Sequence, residues 1–113
     1  MNKDPDCVFC KIVDGSIPST KVYEDEEFLA FRDIHPAAPT HVLVVPKNHV
    51  PSLNELDDPE LAGKLLLAVA KVARMLGVEK AYRTIFNTGA GAGQSVFHIH
   101  AHILAGRDMS SSL

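Results

Sequence analysis

Near the end of the chain three histidines alternate with apolar residues: His98-Ile99-His100-Ala101-His102-Ile103-Leu104. No other segment constrains the fold as much. Alternation with period two is a strand pattern, and it places all three imidazoles on one face. Same-face side chains stand about 7 Å apart along a strand, so the row is about 13 Å long. A single zinc ion, with Zn–N of about 2.0–2.1 Å, cannot gather all three. Two neighbours can share an ion, which leaves at least one imidazole for other work: nucleophile, proton donor or phosphate clamp. Packing alone is the plainer reading, but each buried imidazole then needs its own polar partner. The interleaving also differs from the consecutive histidines of a purification tag.

The rest of the chain limits which of these tasks is open. Its 113 residues are the size of one domain, 1–113, and 46% hydrophobic residues are enough for a core. A net charge of −3 and a pI of 6.0 argue against a nucleic-acid groove or a polybasic membrane surface. No run reaches the length of a membrane span, and no signal sequence opens the chain, so a cytoplasmic location is expected. Residues 1–6 are polar and expected to be loose and flexible. The two cysteines, Cys7 and Cys10, do not make a disulfide framework.

The pattern along the chain predicts an α+β domain with an antiparallel sheet. A short helix over 7–14 ends at Gly15. Strands are expected over 20–24 and 28–34, joined by the acidic turn Glu24-Asp25-Glu26-Glu27. Pro36-Ala37-Ala38-Pro39 breaks the chain before a central strand over 41–45, which Pro46 stops. Asp58 is a good N-cap and Pro59 suits the first helical position. Leu61, Leu65, Val69, Val72 and Leu76 then form one apolar stripe, and Gly77 ends the helix. A fourth strand over 82–86 leads through a glycine-rich link to the histidine strand. The long helix has to cover one sheet face, so the histidines face elsewhere.

The link reads Asn87-Thr88-Gly89-Ala90-Gly91-Ala92-Gly93-Gln94-Ser95. Glycine at every second position allows positive φ and inward-turned N–H groups, as in an anion-binding nest. With Ser95 and the histidines beside it, backbone amides, a hydroxyl and an imidazole can meet phosphate oxygens together. The alternative is a hairpin loop without a ligand.

The segment from Asn87 to Leu104 resembles the signature of the histidine triad (HIT) nucleotide-binding family. The resemblance extends over nearly the whole chain. Cys7-Val8-Phe9-Cys10-Lys11-Ile12, Phe31-Arg32-Asp33-Ile34, Ala38-Pro39-Thr40-His41, Pro46-Lys47-Asn48-His49 and Gly93-Gln94-Ser95-Val96 all look like its Hint branch. The resemblance implies a five-stranded sheet with one long and one short helix, and a homodimer whose sheets join into ten strands. It implies binding of purine mononucleotides such as AMP and GMP, and hydrolysis of adenosine 5′-phosphoramidates and aminoacyl adenylates to AMP.

The family's nucleophile matches His100, and a carbonyl near His98 is the implied acceptor for its other ring nitrogen. His102 and Ser95 would act on the phosphate and leaving group, with the amides of Gly93, Gln94 and Ser95 on the non-bridging oxygens. Asp33 is the implied reader of the ribose hydroxyls, with Ile34 packed beside it; without the resemblance Asp33 is equally a strand-end residue. Asn87 matches a nucleotide-contacting position and is otherwise a turn residue. His41 fits a place behind His100, or a purely structural one. Cys7-x-x-Cys10 is half of a structural zinc site, and the resemblance to zinc-holding relatives puts His49 and His98 in the other half. Two buried cysteines packing as small apolar groups, or a redox dithiol, are the alternatives. The last eight residues lack the aromatic tail of several relatives, so leaving-group preference carries over least. A dinucleoside polyphosphate hydrolase of the Fhit type and a nucleotide-binding partner protein are the competing functions.

Overall fold

In the computed structural model, which describes residues 3–111, the histidine face and the long helix lie on opposite sides of one sheet. The elements are α1 (Val8–Val13), β1 (Lys21–Glu24), β2 (Phe28–Arg32), β3 (Thr40–Pro46), α2 (Pro59–Met75), β4 (Arg83–Ile85) and β5 (Ala101–Ala105). All five strands pair antiparallel in the order β1-β2-β3-β5-β4. Short 3₁₀ turns at Leu53–Glu55 and Ala90–Ala92 complete the set.

Alternation along the central strands feeds two cores. Phe28, Ala30, Val42, Val44, Ile99, Ala101 and Ile103 meet Leu65, Ala68, Val69 and Val72 of α2. Leu29, Phe31, Leu43 and Val45 point the other way, onto Cys7, Phe9, Cys10 and Ile12 of the α1 segment. Both sheet faces are therefore covered, and the histidines share the α1 face. Helix α2 starts as its sequence dictates: the Asp58 carboxylate accepts from the N–H groups of Glu60 and Leu61, and Pro59 opens the helix. Its end comes at Met75, and Gly77 takes φ +73°.

Several boundaries differ from expectation for local reasons. Strand β2 ends at Arg32 rather than Ile34, because the Asp33 side chain accepts from the His35 N–H at 2.8 Å and turns the chain. Strand β4 covers only Arg83–Ile85. Strand β5 begins at Ala101, not at His98. Extending its register from Val44↔Ala101 would set Ile99 opposite Pro46, which has no N–H to give. Ile99 instead donates to Val50 O at 2.7 Å.

Residues 4–6, within the stretch expected to be loose, make local hydrogen bonds. The Asp4 carbonyl accepts from Cys7 N–H at 3.1 Å, and its carboxylate accepts from Asp6 N–H at 2.9 Å. Met1 and Asn2 lie outside the described residues. Among those described, no helix is long and apolar enough to cross a membrane.

Candidate functional site

The histidine row splits into one imidazole turned toward α1 and two turned toward a cavity. His100 is 8% exposed. Its Nδ1 lies 2.7 Å from the His98 carbonyl, which can only accept. The proton therefore sits on Nδ1, and Nε2 keeps its lone pair. The Phe9 ring meets His100 edge-on with centroids 5.0 Å apart, which fixes the ring plane. Burial pushes the His100 pKa below its ordinary 6.5, opposed by the His98 carbonyl and Asp33, so the ring is neutral at neutral pH.

His102 receives its tautomer from a chain of three partners. The Ala37 backbone N–H donates to His41 Nδ1 at 3.0 Å. His41 therefore carries its proton on Nε2, which lies 2.9 Å from His102 Nδ1 and 3.5 Å from Asp33 Oδ2. Accepting at Nδ1, His102 keeps a proton on Nε2 and presents a donor. Burial, then His100 and His41, push its pKa down to about 4. His41 thus makes its contact with His102, where the sequence reading put it behind His100. The Ala37 carbonyl is held in turn by Arg107 Nε at 3.1 Å.

His100 and His102 open onto a cavity of about 340 Å³. Its polar end holds Asp33, Gly93 and Ser95, and its walls include Phe9, Ile12, Ile17, Phe31 and Leu43. Ile34 stands at the edge with 86% of its surface exposed. A larger apolar side chain left in water beside a cavity is a ready cover for a ligand. Sequence reasoning left the apolar wall unassigned: Phe9, Ile12 and Phe31 stood only inside family-like motifs, with no role of their own.

The glycine loop differs from an open nest. It coils as a 3₁₀ turn between Gly89 at φ +87° and Gly93 at φ +95°. The Gly93 N–H donates to Ala90 O and the Gln94 N–H to Gly89 O, so neither amide is left for an oxyanion. The Gln94 side chain is turned inward, accepting from Gly89 N–H and donating to the carbonyls of Pro51 and Val96. Asn87 Nδ2 donates to Ala92 O at 3.0 Å and closes the turn. Of the expected cradle, Gly93 and Ser95 reach the cavity lining; Gln94 and Asn87 build the loop behind them.

The third histidine belongs to a separate cluster. Cys7, Cys10, His49 and His98 bring one ligand atom each within 4.8 Å of the others. His98 donates through Nε2 to Pro46 O at 2.7 Å, so its Nδ1 carries a lone pair. That Nδ1 faces His49 Nδ1 at 3.3 Å and the two sulfurs at 3.4 and 3.6 Å. A tetrahedron with Zn–N of about 2.05 Å and Zn–S of about 2.3 Å has N···N edges of about 3.3 Å and N···S edges of about 3.6 Å. Four soft, converging donors at these spacings fit a structural Zn²⁺. Asp4 Oδ2 stands 3.9 Å behind His49 Nε2, a carboxylate that orients the ligand ring. Burial raises the Cys7 thiol and holds the His98 pKa down at about 4. A dication would convert the thiols to thiolates.

Asp33, His41 and His102 form another potential ligand set, and it does not fit a metal. An ion on His41 Nε2 would move that ring's proton to Nδ1, against the Ala37 N–H.

Residues 14–109 match the HIT domain family. The HitA protein of Neisseria gonorrhoeae is 46% identical over 100 residues, which cover 87% of this chain and 94% of that protein. The 14 kDa zinc-binding protein of Zea mays is 46% identical over 111 residues, covering 95% of this chain and 87% of the maize protein. The solved structure of a HIT family hydrolase from Clostridium thermocellum superposes with a TM-score of 0.93 at 46% identity, over 98% of this chain and 99% of its own.

Proposed function

The chain belongs to the HIT domain family, and on that footing we propose that it hydrolyses adenosine 5′-phosphoramidates and aminoacyl adenylates to AMP. The single observation that carries this reading is the pair of opposite tautomers on His100 and His102. One ring offers a lone pair and its neighbour offers a proton, with centroids 4.9 Å apart at one cavity.

Two displacements follow. His100 Nε2 attacks the α-phosphorus, forming an N–P bond as the bond to the leaving group breaks: P–N with an amine leaving from a phosphoramidate, P–O with a carboxylate leaving, unprotonated, from an aminoacyl adenylate. His102 Nε2–H and the Ser95 N–H meet the non-bridging oxygens, whose charge shifts in the transition state. The departing nitrogen takes a proton through the exposed Ser95 hydroxyl, which recovers one from solvent. Water then attacks the nucleotidyl-histidine, giving its proton to bulk water and releasing AMP. Asp33 accepts from the ribose hydroxyls while one of its oxygens stays tied to the His35 N–H. Ile34 covers the ribose and base.

Zn²⁺ held by Cys7, Cys10, His49 and His98 is structural in this reading; it ties α1 to the segment that carries His98, and no step passes through it. The maize relative, a zinc-binding protein by name, supports that assignment. The protein acts as a homodimer. Strand β4 is a sheet edge paired only to β5, and Leu66 of α2 leaves 59% of its surface exposed. Pairing two β4 edges would cover both of them and leave only the β1 edges at the ends of the joined sheet.

A substrate panel tests the activity. Turnover of adenosine phosphoramidate is expected to exceed that of diadenosine polyphosphates, and His100→Ala is expected to lose several orders of magnitude in kcat. Equal turnover by the wild type and His100→Ala would remove the nucleophile. Preference for diadenosine polyphosphates would favour the Fhit-type reading.

A further inference from the structure

Two groups of converging ligand-type side chains stand among the described residues, and only one of them fits a metal. The other, Asp33, His41 and His102, surrounds a single proton. His41 accepts the Ala37 N–H at Nδ1, so its one proton is on Nε2. That N–H has two acceptors before it: His102 Nδ1 at 2.9 Å and Asp33 Oδ2 at 3.5 Å. Distance favours the ring nitrogen and charge favours the carboxylate, so the two compete for one donor.

The two acceptors differ in what reaches them. His41 is buried, whereas Asp33 lines the cavity and keeps 20% of its side chain exposed. Its Oδ1 already accepts from the His35 N–H at 2.8 Å, which leaves Oδ2 the greater capacity for a new donor. A hydroxyl donating to Oδ2 from the cavity satisfies the carboxylate and weakens its pull on His41. The His41 N–H then goes to His102 alone.

We propose that Asp33 couples ribose seating to the phosphoryl step: a ribose hydroxyl on Asp33 Oδ2 commits the His41 N–H to His102, which holds the His102 Nε2–H on the phosphate. This rests on the nucleotide reading above and makes Asp33 a positioning residue, acting through His41, as well as a binding contact. A nucleotide without ribose hydroxyls enters the same cavity but meets a donor that is less firmly aligned. Selection for the sugar is thus expressed in rate as well as in affinity.

Rapid-quench single turnovers with saturating adenosine 5′-phosphoramidate and its 2′,3′-dideoxy analogue test this, in wild type and in His41→Ala. Wild type is expected to adenylylate His100 about tenfold more slowly from the dideoxy substrate, a fraction of what complete loss of a transition-state donor costs. His41→Ala is expected to use both substrates at one rate, because the relay between sugar and phosphate is gone. Imidazole NMR of wild type adds a readout that needs no variant: AMP is expected to move the His41 Nε2–H signal further than 2′,3′-dideoxy-AMP does. Equal rates for the two substrates in wild type, a rate ratio that survives in His41→Ala, or equal shifts from the two nucleotides would overturn the inference and leave the nucleotide reading standing. A wild type that never adenylylates His100 would overturn the catalytic reading, and the inference with it.

Discussion

Two neighbouring histidines differ in chemistry only because their backbone partners differ. The His98 carbonyl makes His100 a lone-pair donor, and the Ala37 N–H, acting through His41, makes His102 a proton donor. Removing the relay is therefore expected to affect the reaction more than binding. His41→Ala should lower kcat about a hundredfold and change KM little, as loss of a positioned donor does; equal losses in AMP affinity and kcat would place His41 in binding instead. With His98, also held at about 4, His102 contributes to the pH dependence of stability. Its folded pKa of about 4 lies below the ordinary 6.5, so the unfolded chain binds more protons between those values. Stability is then complete above pH 6.5 and falls as pH drops through 4. The melting temperature is expected to decline over that window, and less steeply in His102→Asn. The resemblance already implied a carbonyl near His98 behind His100, but nothing announced the tautomer of His102, since Ala37 has no side-chain chemistry to notice.

At the scale of elements, what was readable is what short-range chemistry decides. Helix α2 declared itself through Asp58, Pro59 and its apolar stripe, and the Asp58 cap is in place. Asp58→Ala is expected to lower stability by about 1 kcal/mol, measured by denaturant unfolding. Strand boundaries were less readable because distant residues set them: Pro46 on β3 decides where β5 starts pairing. The loop of residues 87–95 misled for a similar reason. Its glycines permit an open nest, but the inward turn of Gln94 closes it. The exit from β5 carries a constraint that only packing reveals. Gly106 has φ +97°, and a Cβ there would sit 2.9 Å from Pro39 Cβ. Gly106→Ala is expected to destabilise by about 1–3 kcal/mol through overpacking and backbone strain. It should also loosen the Arg107 hold on Ala37, so activity should fall further than the unfolded fraction explains. A fully active, equally stable Gly106→Ala would contradict that link.

Across the whole molecule, α1 joins two sites on one sheet face. Cys7 and Cys10 face the metal-type cluster, while Phe9 between them packs on both His98 and His100. Protein purified reduced and without a tag is expected to hold one Zn²⁺ per chain, and chelation should lower its melting temperature. Sedimentation should report a particle of twice the 12.3 kDa chain mass. The central proposal is that His100 becomes covalently nucleotidylated, and intact-protein mass spectrometry after rapid acid quench with an adenosine phosphoramidate tests it most directly. A transient gain of one adenylyl group, mapped to His100 and missing in His100→Ala, is the expected result. Turnover with no added mass at any quench time, or an adduct on another residue, would contradict it.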